Sequence, residues 1–135
     1  MVIAHRGNHV KVPENTVASV NEAILCGADY VEVDLRTTKD GRLVISHDAS
    51  VDRMTNGKGK VRDLPFEAIE KLKVGADSNA AYRIPAFEDV LHACKGRINI
   101  YLDFKDADPA AAYRQIKAAH MEKQVVATPR RLSTT

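Results

Sequence analysis

Hydrophobic and polar positions alternate between two spacings along this chain. Val2 to His5 is a short apolar run that reads as a strand. From about Thr16 to Cys26, the apolar positions Val17, Val20, Ile24 and Ala28 recur at helical intervals, with Asn15 as N-cap and Gly27 as the stop. Tyr30 to Arg36 switches to strand spacing, Lys39-Asp40-Gly41 is a turn, and Leu43-Val44-Ile45 is a further short strand. Residues 49 to 84 are less regular, with a loop at Asn56-Gly57-Lys58-Gly59 and a short helix from Pro65 to Leu72. Pro85 to Lys95 predicts a helix whose apolar face carries Phe87, Val90, Leu91 and Cys94. A strand from Ile98 to Phe104, a helix from Asp108-Pro109 to about His120, and a strand from Gln124 to Ala127 follow. Strands alternating with helices predict an α/β fold with a parallel sheet.

Composition narrows the function class. A net charge of +2 is too balanced for a nucleic-acid binder, and with no Trp and 5% aromatics there is no base-stacking platform. Cys26 and Cys94 lack zinc spacing and read as small core residues in a reducing compartment. The chain opens without a basic, apolar leader and carries no apolar run near ~18 residues. The expectation is a cytoplasmic protein with no transmembrane segment.

The chemistry concentrates on two strands. In Tyr30-Val31-Glu32-Val33-Asp34-Leu35, Val31, Val33 and Leu35 share one face, and Glu32 and Asp34 share the other. Parallel strands are ordinarily apolar on both faces. The Glu32 and Asp34 backbones are about 6.6 Å apart, and at that separation two full negative charges repel by roughly 2–3 kcal/mol at an effective dielectric near 20. A hard cation between them turns that cost into a binding site. Read alone, the segment also fits an exposed edge strand with solvated acids. In Asn99-Ile100-Tyr101-Leu102-Asp103-Phe104-Lys105 the pattern repeats, with Tyr101, Asp103 and Lys105 on one face. Asp103 is a third candidate ligand and Lys105 a candidate anion contact; a local Asp–Lys pair is the alternative.

Strand ends supply the remaining candidates. The first strand ends in His5-Arg6-Gly7, where Arg6 offers a planar fork for phosphate oxygens. The strand Leu43 to Ile45 ends in Ser46-His47-Asp48. Both histidines fall just past a strand's C-terminal end, where α/β folds place ligands. His9, His92 and His120 read as bland. The Asn56-Gly57-Lys58-Gly59 loop lacks the spacing of a phosphate loop.

Taken in order, several segments resemble the glycerophosphodiester phosphodiesterase family. They are His5-Arg6-Gly7, Glu14-Asn15-Thr16, Gly27-Ala28, Glu32-Val33-Asp34, Thr38-Lys39-Asp40-Gly41, His47-Asp48, Arg53-Met54-Thr55, Ile84-Pro85 and Asp103-Phe104-Lys105. The resemblance implies a TIM-type barrel and a divalent cation, Mg²⁺ or Ca²⁺, held by Glu32, Asp34 and Asp103. It implies His5 and His47 as the acid–base pair, with Arg6 and Lys105 on the substrate phosphate. It implies cleavage of a small-molecule glycerophosphodiester to glycerol 3-phosphate and an alcohol. The third acid is more often Glu in that family, so Asp103 is one methylene short. A sphingomyelinase D-like lipid phosphodiesterase shares the barrel and paired histidines; Glu14-Asn15-Thr16 favours the first family.

A complete (β/α)8 barrel needs roughly 250 residues. The pattern here supplies about the first four βα units, with a hairpin and loop insertion after the second strand. Residues 1–127 are therefore expected to be an incomplete domain, with 128–135 an irregular tail. A half-barrel that self-associates, or an inactive remnant serving as a binding or assembly module, is the alternative to an enzyme.

Overall fold

The computed structural model describes residues 2–7, 12–75 and 82–127. The expected loop position of His9 and the expected tail lie outside them. The elements are β1 (Ile3–His5), α1 (Val17–Leu25), β2 (Tyr30–Thr37), β3 (Leu43–Ile45), α2 (Phe66–Glu70), α3 (Phe87–Cys94), β4 (Asn99–Asp106), α4 (Pro109–Ala118) and β5 (Val125–Ala127). A 3-10 turn at Val61–Asp63, which apolar periodicity does not signal, precedes α2.

One sheet runs in the order β1-β2-β4-β5, every neighbouring pair parallel, while β3 pairs antiparallel with the far end of β2. Each parallel step in that sheet is made by a helix crossover, as the alternating pattern predicts. Val31, Val33 and Leu35 on β2 and Ile100 and Leu102 on β4 are buried against α1, α3 and α4, together with Val20, Phe87, Val90, Leu91 and Ile116. A second small core joins Val44, Val51, Val61, Ile69, Val74 and Ile84. It gives the irregular segment between β3 and α3 an anchor of its own.

Three local expectations are corrected. Thr16, not Asn15, is the N-cap of α1: its Oγ1 accepts from Ser19 N at 3.1 Å, and Ser19 Oγ accepts from Thr16 N at 3.1 Å. Asn15 instead sits in the left-handed region at φ 52°. Helix α3 starts two residues later than Pro85 because the chain there still runs beside β3, with Ile45 N donating to Pro85 O at 3.1 Å. Cys26 is exposed at the end of α1, whereas Cys94 is buried and burial pushes its thiol up to about 12.

Two glycines with positive φ separate backbone strain from steric strain. Gly27 (φ 79°) faces open space, whereas a Cβ on Gly7 (φ 80°) would lie 2.7 Å from Ser19 Cβ and 2.9 Å from its backbone carbon. Gly27→Ala should lose about 1–2 kcal/mol from the left-handed backbone alone, and Gly7→Ala about 2–4 kcal/mol because overpacking adds to it. Urea denaturation at constant m-value measures both; equal losses would contradict this packing.

Candidate active site

Strand register builds the site. β2 lies between β1 and β4, and the pairs His5↔Glu32, Glu32↔Tyr101 and Asp34↔Asp103 place these side chains on one face at neighbouring strands. The central position rules out a solvated edge strand: Asp34 is 0% exposed and Glu32 8%. One carboxylate oxygen from each of Glu32, Asp34 and Asp103 can be chosen so that all lie within 4.8 Å of one another.

Neighbouring groups hold these acids in place. Asn15 Nδ2 donates to Asp34 Oδ2 at 2.9 Å, and the Asn15 carbonyl oxygen of the same amide accepts from Asp34 N at 3.4 Å. Arg6 N donates to Glu32 Oε1 at 3.1 Å, while Arg6 Nε stands 3.8 Å from Asp34 Oδ2. Both Arg6 (φ 56°) and Asn15 (φ 52°) occupy the left-handed region, which costs non-glycine residues of order 1–3 kcal/mol each. That strain turns both side chains toward the acids. His5 Nε2 lies 3.8 Å from Glu32 Oε1, and Lys105 Nζ lies 3.0 Å from Asp103 Oδ2. The local Asp–Lys pair is therefore formed.

His47 lies just past the end of β3. Ser46 N donates to Asp34 O at 2.9 Å, tying the end of β3 to the acidic segment of β2. The His47 carbonyl accepts from Arg36 Nε at 3.2 Å and Nη2 at 2.8 Å, and its Nδ1 lies 2.9 Å from Asp48 Oδ1. Arg53 donates to Asp48 through Nε at 2.7 Å and to Glu14 through Nη2 at 3.1 Å. Glu14 Oε2 also accepts from Arg6 Nη1 at 3.1 Å. Glu14, Asn15, Arg36, Asp48 and Arg53 thus join the residues that sequence spacing singles out. Glu14, Asn15, Asp48 and Arg53 occur in the family-like segments, but their contacts span loops of no regular period. Arg36 carries no such signal.

Electrostatics divides the site in two. Burial, reinforced by Asp34, raises the Glu32 carboxyl to about 7. Hydrogen bonding from Arg53 lowers Asp48 to about 2. Burial raises Glu14, but Arg53 and Arg6 outweigh it and hold the group below the usual carboxylate range. The acidic triad is thus short of positive charge, while the Glu14–Asp48 side is neutralised. Asp34 Oδ1 is buried with no hydrogen-bond partner among the described residues. An all-oxygen donor set with a buried, unsatisfied acceptor fits a hard divalent cation.

The model of the glycerophosphoryl diester phosphodiesterase family matches residues 5–133. The chain belongs to this family. It is 48% identical over 93 residues to a glycerophosphodiester phosphodiesterase of Caldanaerobacter subterraneus, covering 67% of this chain and 38% of that protein. A glycerophosphodiester phosphodiesterase of Bacillus subtilis is 35% identical over 134 residues, covering 91% of this chain and 46% of that one. The crystal structure of a glycerophosphodiester phosphodiesterase from Agrobacterium tumefaciens superposes with a TM-score of 0.89 at 32% identity, over 93% of this chain and 56% of the other. A phosphodiesterase from Oleispira antarctica, solved with the product sn-glycerol-3-phosphate, superposes with a TM-score of 0.84 at 28% identity, over 94% of this chain and 55% of the other. The chain spans less than half the length of these two curated relatives. Within this family member, no helix of the described residues is long and apolar enough to cross a membrane.

The raised pKa of Glu32 carries a stability consequence. Glu32 binds its proton more tightly folded than unfolded, since about 7 lies above the ordinary 4.5. Its contribution is complete below about pH 4.5 and is lost as pH rises through 7, roughly 3 kcal/mol in all. In cation-free buffer, Glu32→Gln should therefore stabilise the chain at about pH 8 and leave it nearly unchanged at about pH 4.5. Urea titrations across that range check this; the same pH profile in both proteins would contradict it.

Proposed function

We propose that this chain carries the metal-binding and acid–base half of a phosphoric diester hydrolase that cleaves glycerophosphodiesters to glycerol 3-phosphate and an alcohol, in lipid and glycerol metabolism. The observation that carries the reading is the triad Glu32, Asp34 and Asp103, within 4.8 Å on adjacent parallel strands, with His5 and Arg6 within 4 Å of it. The product found in the Oleispira antarctica relative supports the substrate class.

In this reading Glu32, Asp34 and Asp103 hold Mg²⁺ or Ca²⁺, which when bound stabilises negative charge growing on the phosphoryl oxygens. Arg6 and Lys105 would bind the phosphate. His5 and His47 move the protons, one accepting from the nucleophile and the other protonating the leaving alcohol. Three carboxylates, a divalent cation and two side-chain cations leave the site near +1, suited to a phosphodiester monoanion. The acids and guanidinium groups added by Glu14, Asp48, Arg36 and Arg53 cancel and preserve that balance.

β1, β2, β4 and β5 are read as the first four strands of a TIM-type (β/α)8 barrel, with the β3 hairpin and the small second core as an insertion, so that residues 1–127 form an incomplete domain. Two cysteines outside any disulfide fit a cytoplasmic setting. The apolar groove beside β5, lined by Leu102, Phe104, Tyr113 and Val126, favours the second reading, a half-barrel that associates with another copy.

Incubation with a glycerophosphodiester and Mg²⁺ or Ca²⁺ should release glycerol 3-phosphate, and a chelator should stop it. His5→Ala and His47→Ala should each lower kcat by about 10²–10⁴-fold. Turnover that survives chelation or both substitutions would overturn the assignment; cation binding without turnover would favour the assembly module.

A further inference from the structure

Arg53 comes from a segment of no regular secondary structure, yet its guanidinium bonds to both Asp48 and Glu14. Its Nε and Nη2 donate to Asp48 Oδ2 and Oδ1 at 2.7 and 3.2 Å. Its Nη1 and Nη2 donate to Glu14 Oε1 and Oε2 at 3.3 and 3.1 Å. One planar guanidinium therefore grips two carboxylates through paired bonds, a geometry that lysine cannot reproduce. Each carboxylate passes the restraint on. Asp48 Oδ1 meets His47 Nδ1 at 2.9 Å, and Glu14 Oε2 meets Arg6 Nη1 at 3.1 Å.

The backbone beneath Arg53 is fixed. Val51 is 1% exposed in the second core, and Thr55 N donates to Val51 O at 3.0 Å. The guanidinium is half exposed, so its ion pairs contribute little to stability. Its consequence is orientation. An ionised Asp48 can only accept a hydrogen bond, so the neutral His47 ring carries its proton on Nδ1 and keeps Nε2 as a lone pair.

We infer that Arg53 is a positioning residue which, by clamping Asp48 and Glu14 together, sets the His47 ring tautomer and the direction of the Arg6 fork. The inference rests on the proposed roles of His47 and Arg6, but its geometric content stands apart from turnover.

The test is tautomer assignment by nitrogen-15 NMR on the full chain with labelled histidine, at about pH 8.5, where an ordinary imidazole is neutral. The His47 signals are identified by their loss in His47→Gln. The wild type should show His47 with the proton on Nδ1. In Arg53→Gln that signal should change to a mixture of both tautomers, while His92 and His120 keep their signals. Arg53→Lys retains charge without the fork and should fail to restore the wild-type signal. If Arg53→Gln does not fold by circular dichroism, the Lys variant decides alone. An unchanged His47 tautomer in the folded variant overturns the inference, whether or not the chain hydrolyses substrate. Where the wild type turns over substrate, Arg53→Gln should also lower kcat/KM at least tenfold. Absence of wild-type turnover counts against the proposed function and leaves the tautomer result to decide Arg53.

Discussion

Mutual repulsion among Glu32, Asp34 and Asp103 is the constraint around which the rest of the molecule is arranged. At the 4.8 Å limit, two full charges repel by about 3–4 kcal/mol at an effective dielectric near 20. Burial of Asp34 and Glu32 adds a desolvation penalty that hydrophobic packing around β2 must offset. Surrounding groups relieve part of it. The Asn15 amide, the Arg6 backbone N–H and the Lys105 ammonium each meet one acid. What they leave is visible in the Glu32 proton, held up to about 7, and in the bare Asp34 Oδ1. An arrangement this unfavourable for an empty protein is the usual mark of a site built for another charge.

The same constraint accounts for the backbone strain at Arg6 and Asn15. Arg6 and Asn15 adopt left-handed conformations at the two ends of the β1–α1 connection, and Asn15 N donates to Arg6 O at 2.8 Å, joining those ends. Gly7 then permits the close approach of α1, whose Ser19 Oγ donates to Arg6 O at 3.2 Å. The turn after β1 and the N-terminus of α1 are thereby one unit, and its task is to aim Arg6 and Asn15 at β2.

Regular period made most of the fold legible. Strand alternation at Glu32/Asp34 and Tyr101/Asp103 put each acidic set on one face, and parallel pairing brought the sets together without further information. Helices with an apolar stripe, α1, α3 and α4, fell close to their expected bounds. Legibility ended where contacts depend on loop geometry. Asn15 has the composition of a helix cap, but tertiary contact with Asp34 claims its side chain and Thr16 takes the cap. Cys26 sits in an apolar neighbourhood in sequence yet points outward at the helix end. Arg36 and Arg53 belong to the site through bonds to His47 and Asp48 that span 11 and 5 residues, and no periodicity encodes them.

The central claim is that the three carboxylates form one cation site. Calorimetric titration of Mg²⁺ and of Ca²⁺ into the full chain addresses it most directly. Because Glu32 gives up its proton to bind a cation, binding at about pH 6.5 should release protons, seen as heat that depends on the buffer, and this release should vanish by about pH 9. One cation should bind per chain, and Asp34→Asn should abolish binding while the fold survives. Binding of unchanged affinity in Asp34→Asn, or no binding to the wild type at either pH, would contradict the account.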